Sequence, residues 1–318
     1  MSRLLWLLLL LLPGCAVLDP DQEVSCGLRL RTEVPVTVIR NVPFVVVAIN
    51  GLPATLILDT GAQTMLLTQS AVKRLGLRTD SRAPVTVRGT GGQTRSWPAI
   101  LQRFAVGEVA LPDQHAAVLP FDLPEIGGTR PEGLLGVDVL SRFEVDLNLP
   151  QRRMVLYSGR PCEGEPLPMP GRILEVEAPS ARRNRLVIQA ELDGRPLTAL
   201  LDSGTQDSIV MAEAAGLTLA MLADSPLVML RGAGPQLTEG RRHRFARLLL
   251  GDEQFRDVRL TVMHRQSDED EMIIGMDYMA ARRIWLAYPR RKVFIQRPAA
   301  VRTPVAAVAV DDAGRRLW

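Results

Sequence analysis

Two short stretches of the chain could do chemistry together: Leu58-Asp59-Thr60-Gly61 and Leu201-Asp202-Ser203-Gly204. Each places a carboxylate at the end of an apolar run, Ala54 to Leu58 and Leu197 to Leu201, followed by a hydroxyl residue and a glycine. Two carboxylates within hydrogen-bond reach resist double ionisation, so one pKa rises and the pair holds a shared proton. The ionised member can act as general base on a water. The protonated member can hydrogen-bond a carbonyl and later protonate a leaving amine. This chemistry calls for no metal, cofactor or covalent intermediate. One such tripeptide alone reads equally well as an Asx-type turn at a strand end. The case therefore rests on what surrounds the two.

The surroundings repeat, and repeats decide architecture. Arg40-Asn41 is matched by Arg183-Asn184, an offset of 143 from Asn41 to Asn184. The same offset carries Asn50-Gly51-Leu52-Pro53 onto Asp193-Gly194-Arg195-Pro196, Asp59 onto Asp202, and Arg88-Gly89-Thr90-Gly91 onto Arg231-Gly232-Ala233-Gly234. Leu134-Leu135-Gly136-Val137-Asp138 matches Ile273-Ile274-Gly275-Met276-Asp277 at an offset of 139 from Gly136 to Gly275. The second copy thus has shorter loops, and the first carries an extra Pro/Gly-rich stretch from Pro124 to Pro131.

Each copy reads as mostly strand. Val42 to Ile49 and Leu186 to Leu192 are β-branched or apolar runs. Asn50-Gly51 and Asp193-Gly194 are hairpin signals. Ala71 to Leu75 and Met211 to Ala215 read as short helical turns. Asp138 and Asp277, each following its glycine at the start of a helical piece, read as N-terminal caps. Phe143 to Leu147 and Ile284 to Tyr288 read as closing strands. His115, His243 and His264 have no counterparts in the other copy, and no Gly-x-Ser-x-Gly supports a Ser-His-Asp triad.

With these motifs in place, the sequence resembles the retropepsin-like aspartic proteases, and more loosely the pepsins, over residues 34 to 297. The resemblance implies an all-β, bilobal acid-protease fold: two homologous retropepsin-like β-barrel lobes with short helices. It implies an aspartic endopeptidase with Asp59 and Asp202 as the catalytic pair, one from each lobe, and a peptide or protein substrate. Thr60 and Ser203 correspond to the family's interlocking hydroxyls. Gly61 and Gly204 let backbone approach the carboxylates closely. Ala62 and Thr205 break the symmetry, because only Thr205 can donate a hydroxyl bond to its aspartate, which makes Asp202 the more readily ionised member. The segments Gly89-Thr90-Gly91-Gly92 and Gly232-Ala233-Gly234 fall where the family has flaps over the substrate. A phosphate cradle would need a Gly-Lys-Ser/Thr ending, which neither segment has. Fusion of both half-sites in one chain makes the expected unit a monomer. The other reading is a peptide-binding lipoprotein of the same fold without turnover; the presence of both aspartates and both glycines favours turnover.

Composition agrees with a globular β protein. The 318 residues suffice for two domains, with 47% hydrophobic, 23% charged and 4% aromatic residues, 25 Gly and 23 Pro. A net charge of +3 and short basic clusters such as Arg241-Arg242-His243-Arg244 argue against nucleic-acid binding. Three His and three Cys argue against a zinc site. Arg3, the apolar run Leu4 to Leu12, and Leu12-Pro13-Gly14-Cys15 describe a secretory signal ending in a lipobox-like cysteine. Cys15 is the expected lipidation site; an ordinary signal cut near Ala16 is the alternative. Ala16 in place of Asp favours an outer-membrane, periplasm-facing address, by analogy with lipoproteins. In that oxidising compartment Cys26 and Cys162 form either a disulfide or two unpaired thiols. The chain then divides into signal peptide 1–15, leader 16–33, N-terminal lobe 34–160, linker 161–174, C-terminal lobe 175–297 and tail 298–318. The linker, rich in proline from Pro161 to Pro170, reads as a stiff spacer.

Overall fold

The structure, a computed structural model, describes residues 26–296 apart from 90–91, 179, 183, 233–235 and 265–269. Cys15, the leader up to residue 25 and the tail 298–318 lie outside the described residues.

Strands dominate, as the repeat predicts, and most strands of each copy form one sheet that closes on itself, while Val85–Gly89 and Gly92–Ser96 stand apart as a two-stranded sheet. In the first lobe the order is Thr37–Ile39, Val42–Ile49, Leu52–Leu58, Gly133–Leu135, Leu66–Thr68, Val109–Leu119, Ala99–Val106. The last strand returns to pair with Val42–Ile49. In the second lobe it is Ser180–Arg182, Arg185–Leu192, Arg195–Leu201, Met272–Ile274, Ile209–Met211, Glu253–Met263, Leu237–Leu250, Leu227–Arg231, with Leu237–Leu250 returning to Arg185–Leu192. The hairpin signals act where expected. Asn50 and Gly51 have φ of 50° and 89°, and Asp193 and Gly194 have 48° and 83°. A tight hairpin turn with both central residues left-handed requires such types.

The repeat slips once more than the sequence motifs reveal. Leu192 lies 143 positions after Ile49, but its partner Leu248 lies 144 after Phe104. The extra residue belongs to the tip of the second Gly-rich hairpin. A proline also separates the copies. Pro98 has no N–H, and the first lobe's strand is interrupted there, giving Gly92–Ser96 and Ala99–Val106. Arg242 stands at the matching place and Leu237–Leu250 runs through it unbroken.

A third sheet joins the lobes: Arg29–Pro35, Arg153–Ser158, Glu144–Asn148, Arg283–Ala287, Lys292–Gln296, Ile173–Glu177. Its centre is the antiparallel pairing of one lobe's closing strand with the other's, Glu144 opposite Ala287 and Asn148 opposite Arg283. Two expected boundaries shift here. Residues 34 and 175 each fall inside a strand, because pairing with Arg153–Ser158 and Lys292–Gln296 extends the ends beyond the repeated motifs.

The two faces of this sheet differ. Val145, Leu147, Ile284 and Leu286 enter the main core that runs through both lobes. The opposite face carries charge. Buried Asp146 accepts two bonds from Arg283, at 2.8 and 2.6 Å, and Arg283 also donates to the Pro168 carbonyl at 2.7 Å. Buried Glu144 accepts from Trp285 Nε1 at 2.6 Å and from Arg290 at 3.0 and 2.9 Å. Leu167 and Met169 pack over Trp285 and Phe294. The linker is therefore a packed cover, not a spacer: it supplies apolar contacts and a carbonyl that the buried arginine needs. Cys26 and Cys162 are joined in a disulfide, which ties the leader to this cover.

Removing one partner of a buried, hydrogen-bonded ion pair leaves the other uncompensated, at a cost of about 3–5 kcal/mol. Arg283→Met should therefore lose stability of that order in urea unfolding. Adding Asp146→Leu should recover most of it. A single variant within about 1 kcal/mol of wild type would sink this account.

Candidate active site

Each candidate carboxylate stands where a central strand of its lobe stops. Leu52–Leu58 runs parallel to Gly133–Leu135, and Arg195–Leu201 runs parallel to Met272–Ile274. The Asp59 amide donates to the Leu135 carbonyl and the Asp202 amide to the Ile274 carbonyl, both at 3.0 Å. The apolar-apolar-Gly motifs thus hold the chain just before it turns. Their glycines sit against that turn: a Cβ on Gly136 would lie 2.7 Å from the Thr64 carbonyl carbon, and one on Gly275 2.8 Å from that of Asp207.

The lobes then grip one another. Thr60 Oγ1 donates to the Leu201 carbonyl at 2.8 Å and accepts from the Ser203 amide at 3.0 Å. Ser203 Oγ donates to the Leu58 carbonyl at 2.6 Å and accepts from the Thr60 amide at 3.1 Å. Both hydroxyls are buried. The exchange sets the Asp59 and Asp202 carboxyls side by side across the lobe boundary, where each charge acts on the other. Each carboxyl lies over the other lobe's glycine. A Cβ on Gly61 would be 2.3 Å from Asp202 Cγ, and one on Gly204 2.4 Å from Asp59 Cγ. Any side chain there would displace a carboxylate.

Symmetry fails one residue further on. Asp59 Oδ1 accepts from the Gly61 and Ala62 amides, at 3.0 and 2.8 Å. Asp202 Oδ1 accepts from the Gly204 amide at 2.8 Å, while Oδ2 accepts from Thr205 Oγ1 at 2.7 Å. Burial, then the neighbouring Asp202 charge, pushes the Asp59 carboxyl well above the usual carboxylate range, against the opposing pull of the Ala62 and Gly61 amides. A proton on Asp59 is thereby favoured.

Asp138 and Asp277 do more than their positions suggest. The helix N-caps are Gly136 and Gly275; within its own helix each aspartate accepts from the next amide, Asp138 Oδ1 from Val139 at 3.0 Å and Asp277 Oδ1 from Tyr278 at 2.9 Å. Asp138 accepts from the Met65 amide at 2.9 Å and Thr64 Oγ1 at 3.2 Å. Asp277 accepts from the Ser208 amide at 2.9 Å and Ser208 Oγ at 2.6 Å. Both hold the loop that leaves the dyad. Each carboxylate thus serves the first turn of its own helix and a loop across the chain. Burial pushes both carboxyls up despite these bonds.

The Gly-rich segments form hairpins. Val85–Gly89 pairs with Gly92–Ser96, and Leu227–Arg231 with the start of Leu237–Leu250. Thr90, Gly91, Ala233 and Gly234 lie outside the described residues; Gly89, Gly92 and Gly232 flank them. A Cβ on Gly92 would come within 3.9 Å of Gln236 Oε1, so the two hairpins meet. Apolar clusters back them. Val87 packs with Phe44, Ile57 and Leu119, beside Ala62, and Leu230 packs with Ile209, Met211 and Met263.

Two features had no signal in the sequence. Gln206 Nε2 donates across the lobes to the Arg40 carbonyl at 2.7 Å. Tyr288 is buried with its hydroxyl unpartnered. Burial and the Asp59 charge push that phenol up. Among the described residues no group of three or more His, Cys, Asp or Glu is placed to hold a metal.

A family model described as aspartyl protease matches residues 45–139 and again 188–278, more than half of the chain. The chain belongs to this family, in its retropepsin-like form, with two tandem lobes. No curated protein matches the sequence.

The raised Asp59 carboxyl has a consequence for stability. Below its ordinary value of 3.8 both folded and unfolded chains hold the proton, and nothing is lost. As pH rises, the unfolded chain ionises freely while the folded one resists, so stability falls until pH passes the folded value. An asparagine escapes this penalty. Asp59→Asn should therefore melt above wild type at neutral pH, with the gap closing below about pH 4. Equal gaps at both pH values would refute the assignment.

Proposed function

We propose that the chain is an aspartic endopeptidase that hydrolyses peptide bonds in an extended polypeptide held between the carboxyl pair and the two hairpins. The observation that carries this reading is the side-by-side placement of the two carboxyls, each over the other lobe's glycine. Such a pair keeps one proton between its members. Asp202, with the Thr205 hydroxyl on its outer oxygen, is the ionised member and takes a proton from the attacking water. Asp59, buried and raised, is the protonated member and donates to the scissile carbonyl oxygen. The water oxygen bonds to the carbonyl carbon, giving a tetrahedral intermediate. The amine leaves with a proton returned by the dyad, and the C–N bond breaks. The hydroxyl grip lends the pair its rigidity, and the hairpins exclude bulk water during the step.

The same reading places the enzyme in a bacterial envelope. Cys15 would carry a lipid, facing the folded lobes toward the periplasm, with the outer membrane favoured. One acylated cysteine with its diacylglycerol tethers a folded domain without a spanning segment. Cys15→Ser should move the protein from the membrane to the soluble fraction; an unchanged distribution would remove the tether.

Cleavage of an unstructured protein tests the chemistry. Asp59→Ala and Asp202→Ala should each lower kcat/KM by about 10³-fold or more, since paired groups act as a unit. If one variant keeps full activity, the shared dyad is wrong. If wild type binds peptide and never cleaves it, the chain is a binding protein of this fold. Thr205→Ala should move the acid limb of the pH–rate profile upward, whereas Ala62→Thr should leave that limb in place. Equal shifts from both would contradict the assignment of roles.

A further inference from the structure

The two hairpins are repeats of one another, so each serves as a control for the other. The strand Leu227–Arg231 ends the second lobe's sheet, with one neighbour among the described residues. Its other edge offers unpaired backbone groups. Leu227 lies opposite Arg241, Met229 opposite Glu239, and Arg231 opposite Leu237. Directly opposed residues share a face, so Leu227, Met229 and Leu237 stand together on the side away from Leu230. They are 51%, 51% and 50% exposed. Leu219 and Met221, in the turn that precedes the strand, are exposed as well. Arg241 fixes that turn against the same face through the carbonyls of Ala223, at 3.3 Å, and Ser225, at 2.9 Å.

Nothing in the fold demands this surface. In the first lobe, where Thr86 lies opposite Arg95 and Arg88 opposite Gln93, the places of Met229 and Leu237 are taken by Thr86 and Gln93, and that of Leu227 by Pro84. That hairpin closes with polar residues and a proline. A bare, uncharged apolar edge invites strand addition, and proteins usually block it with charge or proline. Here Pro226 stands just before the strand, Arg231 ends it, and Glu239 and Arg241 share the exposed face, so the uncharged apolar run of the edge is Leu227-Val228-Met229-Leu230.

We infer that the outer edge of Leu227–Arg231 is a second binding site for the protein substrate, taking an extended apolar segment that lies outside the cleft as an added strand. The inference rests on the reading of the hairpins as covers of a peptide cleft. The occupant follows from three properties. An open ladder selects an extended backbone, because it supplies N–H and C=O groups at strand spacing. Leu227, Met229 and Leu237 select apolar side chains at alternate positions. Leu230, on the inner face of the same strand, belongs to the apolar cluster behind the cleft, so both faces of one strand serve one polypeptide. An extended chain advances roughly 3.3 Å per residue. A segment a few residues beyond the cleft therefore reaches this edge, at a high effective concentration. Unfolded or misfolded proteins carry such segments; compact hydrophilic ones do not.

The test is a binding measurement with the full chain carrying Asp202→Ala, so that no probe is consumed. Three labelled peptides are compared by fluorescence anisotropy. One fills the cleft, one adds an alternating Val/Thr extension of about ten residues, a strand of roughly 33 Å, and one is the extension alone. The long probe should bind about tenfold or more tighter than the short one, the equivalent of 1.4 kcal/mol. Met229→Thr with Leu237→Gln installs the first hairpin's own residues and should erase that advantage. N-methylation of alternate amides in the extension should erase it as well. An advantage that survives both changes would overturn the inference. So would loss of vesicle binding or of self-association in the double variant with the probe ratio intact, since the surface would then serve a bilayer or a second copy. The extension alone separates this idea from the protease reading. If it binds wild type and not the double variant while the short probe never binds, the edge site stands and the cleft reading falls. If the short probe binds and the extension adds nothing, the reverse holds.

Discussion

Two hydroxyls hold this molecule's chemistry in place. Thr60 and Ser203 each reach across the lobe boundary, giving a proton to a carbonyl and taking one from an amide of the opposite strand. All of these groups are buried, and an unmade bond there would cost the full desolvation of its partner. The grip therefore tolerates little play between lobes. That matters because it holds together what would otherwise separate. Two carboxyls in contact repel when ionised, and burial sharpens the repulsion. The hydroxyl exchange supplies attraction just beneath the pair, where repulsion acts. The glycines above it remove the only atoms that would force the carboxyls apart.

Duplication built the framework, and small departures from it set direction. A symmetric pair would share its proton evenly. Ala62 against Thr205 makes the surroundings of the two carboxyls unequal, since Asp202 accepts from a hydroxyl where Asp59 accepts from an amide. Pro98 against Arg242 acts on a larger scale. It detaches one hairpin as an independent two-stranded sheet and leaves the other continuous with its barrel. One cover is thus a sheet of its own, held to its lobe by Val87 and Ser96, and the other is braced along a fourteen-residue strand. Beneath both, the six-stranded sheet commits one face to the common core and the other to buried arginine–carboxylate pairs under the linker.

The repeat made much of this legible. Motifs at a common offset identified both lobes, both aspartates and both hairpin turns, because each motif had a local reason: a left-handed turn, a strand end, a close backbone approach. What stayed hidden depended on partners far away in the sequence. Asp138 and Asp277 look like helix caps because capping is a local rule; each does accept from the next amide, but its other bonds go to a loop about 70 positions earlier. Strands Arg29–Pro35 and Ile173–Glu177 occupy matching places in the two copies, each pairing with its own lobe's last strand, Arg153–Ser158 and Lys292–Gln296, but no short motif announces them. The linker's prolines suggested a stiff spacer; the buried Arg283 that needs the Pro168 carbonyl lies 115 positions away.

The disulfide gives the chain a topology of its own. Cys26 and Cys162 are separated by 136 positions and enclose the whole first lobe, so that lobe is a closed covalent ring from which the second lobe hangs. A single cut anywhere inside the ring opens a loop without releasing a fragment, and Asp59 stays bound to the same molecule as Asp202. A cut in the second lobe has no such protection. Against a single nick, one half is therefore buffered by its own connectivity, and the other has no disulfide to hold its pieces together.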